Sequence, residues 1–284
     1  MKQKKALLLI LSCLFLSLGN FAQSPADTLV QRDLLRDPSA PAGFEELQIP
    51  SHGSLMQGFI YIANGKEKHP TVLLLHGFPG NERNLDLAQA VRVHGWNVIY
   101  FNYRGSWGSQ GEFSFDHCVE DVLSVYAFCA ENNVRLKIDT SRIVLFGHSM
   151  GGWVCLKALQ KLPSIKKGFA MSAWNIPSSL NSAESISRSK KEADGYFVLN
   201  KKSGAALFQP VIDHPGDYDL ARDGIPLAEK QIIMIDEHHH NAAVAEALRK
   251  ANRAYFDYEV WDTDHPFTNK RVSLIRKFIA FLDR

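Results

Sequence analysis

Cysteine is scarce in this chain, with four residues in 284. That is too few for a disulfide framework to stand in for a hydrophobic core. Cys118 and Cys129 fall on one predicted helix, about 16 Å apart by helical rise, so they cannot pair there. Together with Cys155 they read as buried free thiols. Surplus charge of either sign is missing as well: 32 basic residues stand against 30 acidic ones. Such a balance argues against nucleic acid or an anionic membrane surface as a partner. Internal repeats and low-complexity linkers are also absent. The apolar run Ala6 to Leu18 holds thirteen residues, short of the roughly 20 that a membrane-spanning helix needs.

That run has a different reading. Lys2, Lys4 and Lys5 precede it and Ala22 follows it with a small residue, which is the layout of a secretory signal over residues 1–22. Export to the periplasm or the medium is the expectation. Cys13 sits in the middle of the run, where a lipid-attachment cysteine should end it, so a lipoprotein anchor is not expected. The leader carries three lysines; the remaining chain has 29 basic and 30 acidic residues, a net charge of −1. About 260 residues are enough for a single domain, expected over 23–284.

Beyond the leader, short β-rich runs alternate with helical periodicity. Leu47–Ile49 and Phe59–Ile62 predict an antiparallel pair around Ser51-His52-Gly53. Thr71–Leu75, Asn97–Phe101, Arg142–Phe146, Gly168–Ser172, Gln231–Ile235 and Tyr258–Trp261 predict further strands. Those from Thr71 onward are almost continuously apolar, as strands buried on both faces should be. Helical patterns fall between them at Leu85–His94, Phe115–Glu131, Gly151–Leu162 and Ala242–Ala251, with Val272–Leu282 last. The alternation predicts an α/β fold: a mostly parallel eight-stranded sheet flanked by helices. Residues 173–230 interrupt the rhythm. They are too long for an ordinary loop and are expected to form a small helical cap inserted after the sixth strand.

Gly147-His148-Ser149-Met150-Gly151-Gly152 is the motif that carries chemistry. It directly follows Ile143-Val144-Leu145-Phe146 and precedes the helical pattern of Trp153, Leu156 and Leu159. A serine between a buried strand and a helix is forced onto a sharp turn, with its Oγ exposed above a helix N-terminus. Glycines flank it because side chains there would strike the neighbouring strand or helix.

With His76-Gly77-Phe78-Pro79-Gly80 after the third strand, Asn102-Tyr103-Arg104-Gly105 after the fourth and Asp262-Thr263-Asp264-His265-Pro266-Phe267 after the last, the chain resembles the α/β-hydrolase superfamily over nearly all of its length past the leader. The likeness is to exported small serine esterases and to dienelactone-hydrolase-like or prolyl-oligopeptidase-like members. The resemblance implies Ser149 as nucleophile and His265 as base, with backbone N–H groups of Phe78 and Met150 as the oxyanion hole. It implies an acid after the seventh strand, where Asp236 and Glu237 stand side by side; Asp236 is the first choice and Glu237 the alternative. No cofactor is required. The implied reaction is hydrolysis of a small-molecule carboxylic ester through an acyl-enzyme. A serine peptidase or amidase, or a non-catalytic binding protein on the same fold, are the alternatives.

Other features have plainer readings. Consecutive side chains diverge, so His238-His239-His240 is not expected to hold a metal. Arg104 is expected to pair with Glu120 or Asp121. Trp107, Trp153 and Trp174 are candidates for a pocket lining, with Trp153 more suited to packing beneath its own helix.

Overall fold

The computed structural model describes residues 36–222, 227, 229–251 and 255–284. The leader read over 1–22, Cys13 included, lies outside them. Strands β1 (Gly43–Ser51) and β2 (Ser54–Ile62) form the expected antiparallel pair. His52 and Gly53 join them, both at positive φ (46° and 78°), which is the backbone of a tight hairpin turn. Then come β3 (His69–Leu75), β4 (Asn97–Phe101), β5 (Ile138–His148), β6 (Lys167–Met171), β7 (Gln231–Asp236) and β8 (Phe256–Val260).

The eight strands make one sheet in the order β1-β2-β4-β3-β5-β6-β7-β8. β2 runs antiparallel to β4, and every pairing from β4 to β8 is parallel. Every residue of β3 and β4 is buried, because helices cover both faces. On one face lie α1 (Leu85–Val93) and α8 (Arg271–Leu282). On the other lie α2 (Phe115–Glu131) and α3 (Met150–Lys161). β5 serves both layers by alternation: Phe146 meets Phe278 of α8 with ring centroids 4.9 Å apart, while Leu145 joins the cluster that includes Trp153 and Leu156 of α3. Cys118, Cys129 and Cys155 are free and buried in this packing.

Between β6 and β7 the described residues form helices and no strand of the sheet. A 3-10 turn (Ile176–Ser179) leads to α4 (Ala183–Gly195), α5 (Gly204–Asp213) and the single turn α6 (Pro215–Tyr218). Serines start the two longer helices. Ser182 and Ser185 form a reciprocal capping box, and the Ser203 hydroxyl accepts from the Ala206 N–H at 3.0 Å. Ala193, Leu199, Leu207, Phe208 and Val211 are buried in the same cluster as the sheet, which fixes this segment above the strand ends. A last helix, α7 (Ala242–Ala251), follows β7.

Arg104, just past β4, meets both predicted partners: Nε lies 2.6 Å from Asp121 Oδ1, and Nη2 lies 2.5 Å from Glu120 Oε2. Asp121 also accepts from Ser51 Oγ at 2.7 Å. The ion pair therefore joins the loop after β4, helix α2 and the β1–β2 hairpin.

Candidate active site

Parallel strands deliver their loops to one edge, and the candidate residues gather there. Ser149 follows β5 at φ 58° and ψ −120°, a strained conformation for a residue with a side chain. Its neighbours explain how the strain is held. A Cβ on Gly147 would lie 1.9 Å from the Gly151 carbonyl oxygen, and one on Gly151 would lie 2.1 Å from that of Leu75. Strand, turn and helix can close this tightly only through glycine. The Ser149 N–H donates to the Met171 carbonyl at 2.8 Å, tying the turn to β6. Met150 opens α3, so its N–H belongs to the first turn, where helical donors lack an intrahelical acceptor.

The turn after β3 lies against the serine. A Cβ on Gly77 would come within 3.0 Å of Ser149 Cβ, which brings the Phe78 backbone beside the same hydroxyl. His76 fixes this turn from inside: its Nδ1–H donates to the Gly77 carbonyl at 2.8 Å, and its ring packs 4.5 Å from that of Tyr103. Burial, slightly offset by the bond to Gly77, holds its pKa down to about 4.

His265 lies in the turn after β8, and its Nδ1–H donates to Glu237 Oε1 at 2.6 Å. Glu237, immediately after β7, is thus the carboxylate that meets the imidazole. Asp236 takes a different environment. It closes β7 with its side chain fully buried, accepting from Tyr258 Oη at 2.8 Å and Asn241 Nδ2 at 3.1 Å. Strand alternation accounts for the difference: adjacent residues point to opposite sides, so only one of the pair can face His265. The expected preference of Asp236 over Glu237 therefore does not match the geometry. Burial raises the Asp236 carboxyl above its ordinary value. Burial works on Glu237 in the same direction, but hydrogen bonds from His265 and Ser172 outweigh it and hold that carboxyl at about 2.

Two further residues belong to the arrangement and were not singled out in the sequence. His148, the residue before the serine, is buried, and its Nε2–H donates to the His265 carbonyl at 3.1 Å. Its ring lies 4.8 Å from that of His265, and burial lowers its pKa to about 3, with the neighbouring His265 adding to the effect. Ser172, directly after β6, donates from Oγ to Glu237 Oε2. The signal for Ser172 was its register. Met171 pairs with Ile235, so the next residue faces the end of β7, where the carboxylates stand.

Ser149, His265, Ser172 and Phe78 line one cavity of about 470 Å³. Trp174, Tyr196 and Phe208 add aromatic walls, while Ser178, Ser179, Ser189 and Glu192 line it with polar groups. Trp174 alone of the three candidate tryptophans lines it. Trp153 is buried and donates to the Tyr218 carbonyl, and Trp107 donates to that of Pro79, both at 2.7 Å. Among the described residues, Asp236, Glu237 and His240 form the one group with metal-donor atoms mutually within 4.8 Å. Both carboxylates there are already engaged by Tyr258, Asn241, His265 and Ser172. No described helix is long and apolar enough to cross a membrane.

Sheet order, a strained serine after β5 and a histidine–carboxylate pair after β8 and β7 define the class: the chain has the α/β-hydrolase fold. The family profile described as alpha/beta hydrolase fold matches residues 70–198. Cutinase 2 of Thermobifida cellulosilytica is 25% identical over 126 residues, 42% of this chain and 45% of that protein. The chain thus spans less than half of this relative. Among solved structures, the esterase Est22 superposes with a TM-score of 0.64 at 17% identity, over 87% of this chain and 81% of the other. The carboxylesterase EstE1, cloned from a metagenomic library, gives 0.64 at 15% identity over 90% and 92%.

Proposed function

We propose that this protein is a serine hydrolase of small carboxylic esters, exported from the cell, with Ser149, His265 and Glu237 as its catalytic groups. The observation that carries the reading is the 2.6 Å bond between His265 and Glu237 beside a cavity that also holds Ser149. His265 Nε2 takes the Ser149 proton as Oγ attacks the acyl carbon. Glu237 holds the Nδ1–H tautomer and stabilises the imidazolium. The N–H groups of Met150 and Phe78 receive the developing oxyanion, each donor worth about 3–4 kcal/mol at the transition state. The protonated imidazole then passes its proton to the departing alcohol. Water, deprotonated by the same histidine, releases the acid and restores Ser149.

The cavity favours an uncharged acyl group. Its walls include four aromatic side chains, and among the described residues Glu192 is the one carboxylate that lines it, with no lysine or arginine. An anionic acyl group would meet repulsion there. The names of the similar proteins (a cutinase, esterases) agree with ester chemistry.

The test is a panel of aryl esters of increasing acyl length, one anionic hemiester and one aminoacyl amide. Turnover of the neutral esters, lost in Ser149→Ala, is the expected result, with the hemiester slower by about three- to tenfold from one screened charge. Preferential turnover of the amide would replace the esterase reading with a peptidase.

A further inference from the structure

Ser172 has a backbone that serine does not favour. It sits at φ 47° immediately after β6, almost fully buried. A left-handed conformation at a residue with a Cβ persists only where the surroundings over-determine it, and glycine would adopt it freely. A serine here points to a use for the hydroxyl.

The contacts show what that use is. The Ser172 N–H donates to the Ile235 carbonyl at 2.7 Å, extending the β6–β7 ladder by one residue. The same residue's Oγ–H donates to Glu237 Oε2, while the other carboxylate oxygen receives the His265 Nδ1–H. Glu237 is therefore gripped between two donors, one from the end of β6 and one from the turn after β8. Without the second donor the carboxylate would keep its bond to the imidazole but turn more freely about it. We propose that Ser172 is a positioning residue for the Glu237–His265 pair, setting the carboxylate's rotation and drawing part of its charge away from the imidazole. This rests on the reading of Ser149, His265 and Glu237 as the reacting groups.

Without the hydroxyl, the charge of Glu237 is directed more fully at His265, so the imidazolium gains stability. The acidic limb of kcat/KM, where the base becomes protonated, must then move to higher pH. The other titratable or charged groups around the pair are His148 at the end of β5, Asp236 at the end of β7, Tyr258 on β8, His240 and Asp264 in the adjoining turns, and Arg271 at the start of α8.

Ser172→Gly is the variant of choice, because glycine accepts the backbone and removes only the hydroxymethyl group. Ser172→Ala serves as a second variant that keeps the Cβ. Both should lose about tenfold or more in kcat on every ester tested, through looser orientation of the base. Both should also move the acidic limb up by about half a pH unit or more. The NMR titration of the His265 ring should shift in the same direction whether or not turnover is measured. Unchanged kcat with an unchanged His265 titration would overturn the proposal. Losses confined to KM and dependent on the acyl group, with no shift in titration, would also overturn it and make Ser172 a substrate contact. If the wild type hydrolyses no ester, the functional reading itself fails; the NMR titration still reports on the clamp.

Discussion

Asp236 and Glu237 are adjacent carboxylates at the end of β7, yet their surroundings give them different work. Asp236 is sealed in the sheet end by Tyr258 and Asn241, and Glu237 faces the imidazole. Glu237→Gln should therefore lower kcat by about a hundredfold or more, since the amide cannot stabilise the imidazolium. Asp236→Asn keeps one acceptor and loses another, so it should cost about 1–3 kcal/mol of stability and leave kcat within about tenfold. Aryl-ester kinetics and urea unfolding of the two variants separate these outcomes; equal kinetic losses would contradict the assignment. The sequence could not choose between the two residues because a strand's last register position decides which side chain faces the loop edge. Ser172 was hidden for a related reason: its place opposite the end of β7 follows from the β6–β7 register, which is a property of the folded sheet.

Elements were easier to read than individual contacts. The buried strands show as unbroken apolar runs, and Gly147-His148-Ser149-Met150-Gly151-Gly152 stands where strand passes into helix. Close approach makes that transition rigid. Gly147→Ala would push a methyl group into the Gly151 carbonyl, to 1.9 Å by ideal geometry. The variant should lose about 3 kcal/mol or more of stability, and its activity with it, as read by thermal unfolding and ester turnover. The insertion between β6 and β7 was legible as an interruption of the strand rhythm but not as particular helices. Helix α4 (Ala-Glu-Ser-Ile-Ser-Arg-Ser-Lys-Lys-Glu-Ala-Asp-Gly) buries only Ser185 and Ala193, so it lacks an apolar stripe that periodicity could detect. Its start is set by a serine capping box, a weaker signal than a hydrophobic face.

Across the whole molecule, the site lies at the carboxyl edge of a sheet whose interior carries the stability, and pH connects the two. Glu237 is held at about 2 against an ordinary 4.5. A lowered carboxyl pKa stabilises the folded state fully above the unfolded value, and that contribution is lost as pH falls from about 4.5 through about 2. The stability difference between wild type and Glu237→Gln, followed by urea unfolding, should therefore shrink as pH falls across that window. A difference that stayed constant down to pH 2 would show that the carboxylate is not held in its ionised form by the fold.

If Ser149 is a nucleophile activated by His265, it must react with an electrophile that mimics an acyl substrate. Active-site titration of the purified protein with a fluorophosphonate probe tests it most directly. Stoichiometric labelling at Ser149, located by peptide mass, and none in Ser149→Ala is the expected result. A folded wild-type protein that stays unlabelled, or labelling that persists in Ser149→Ala, would contradict it.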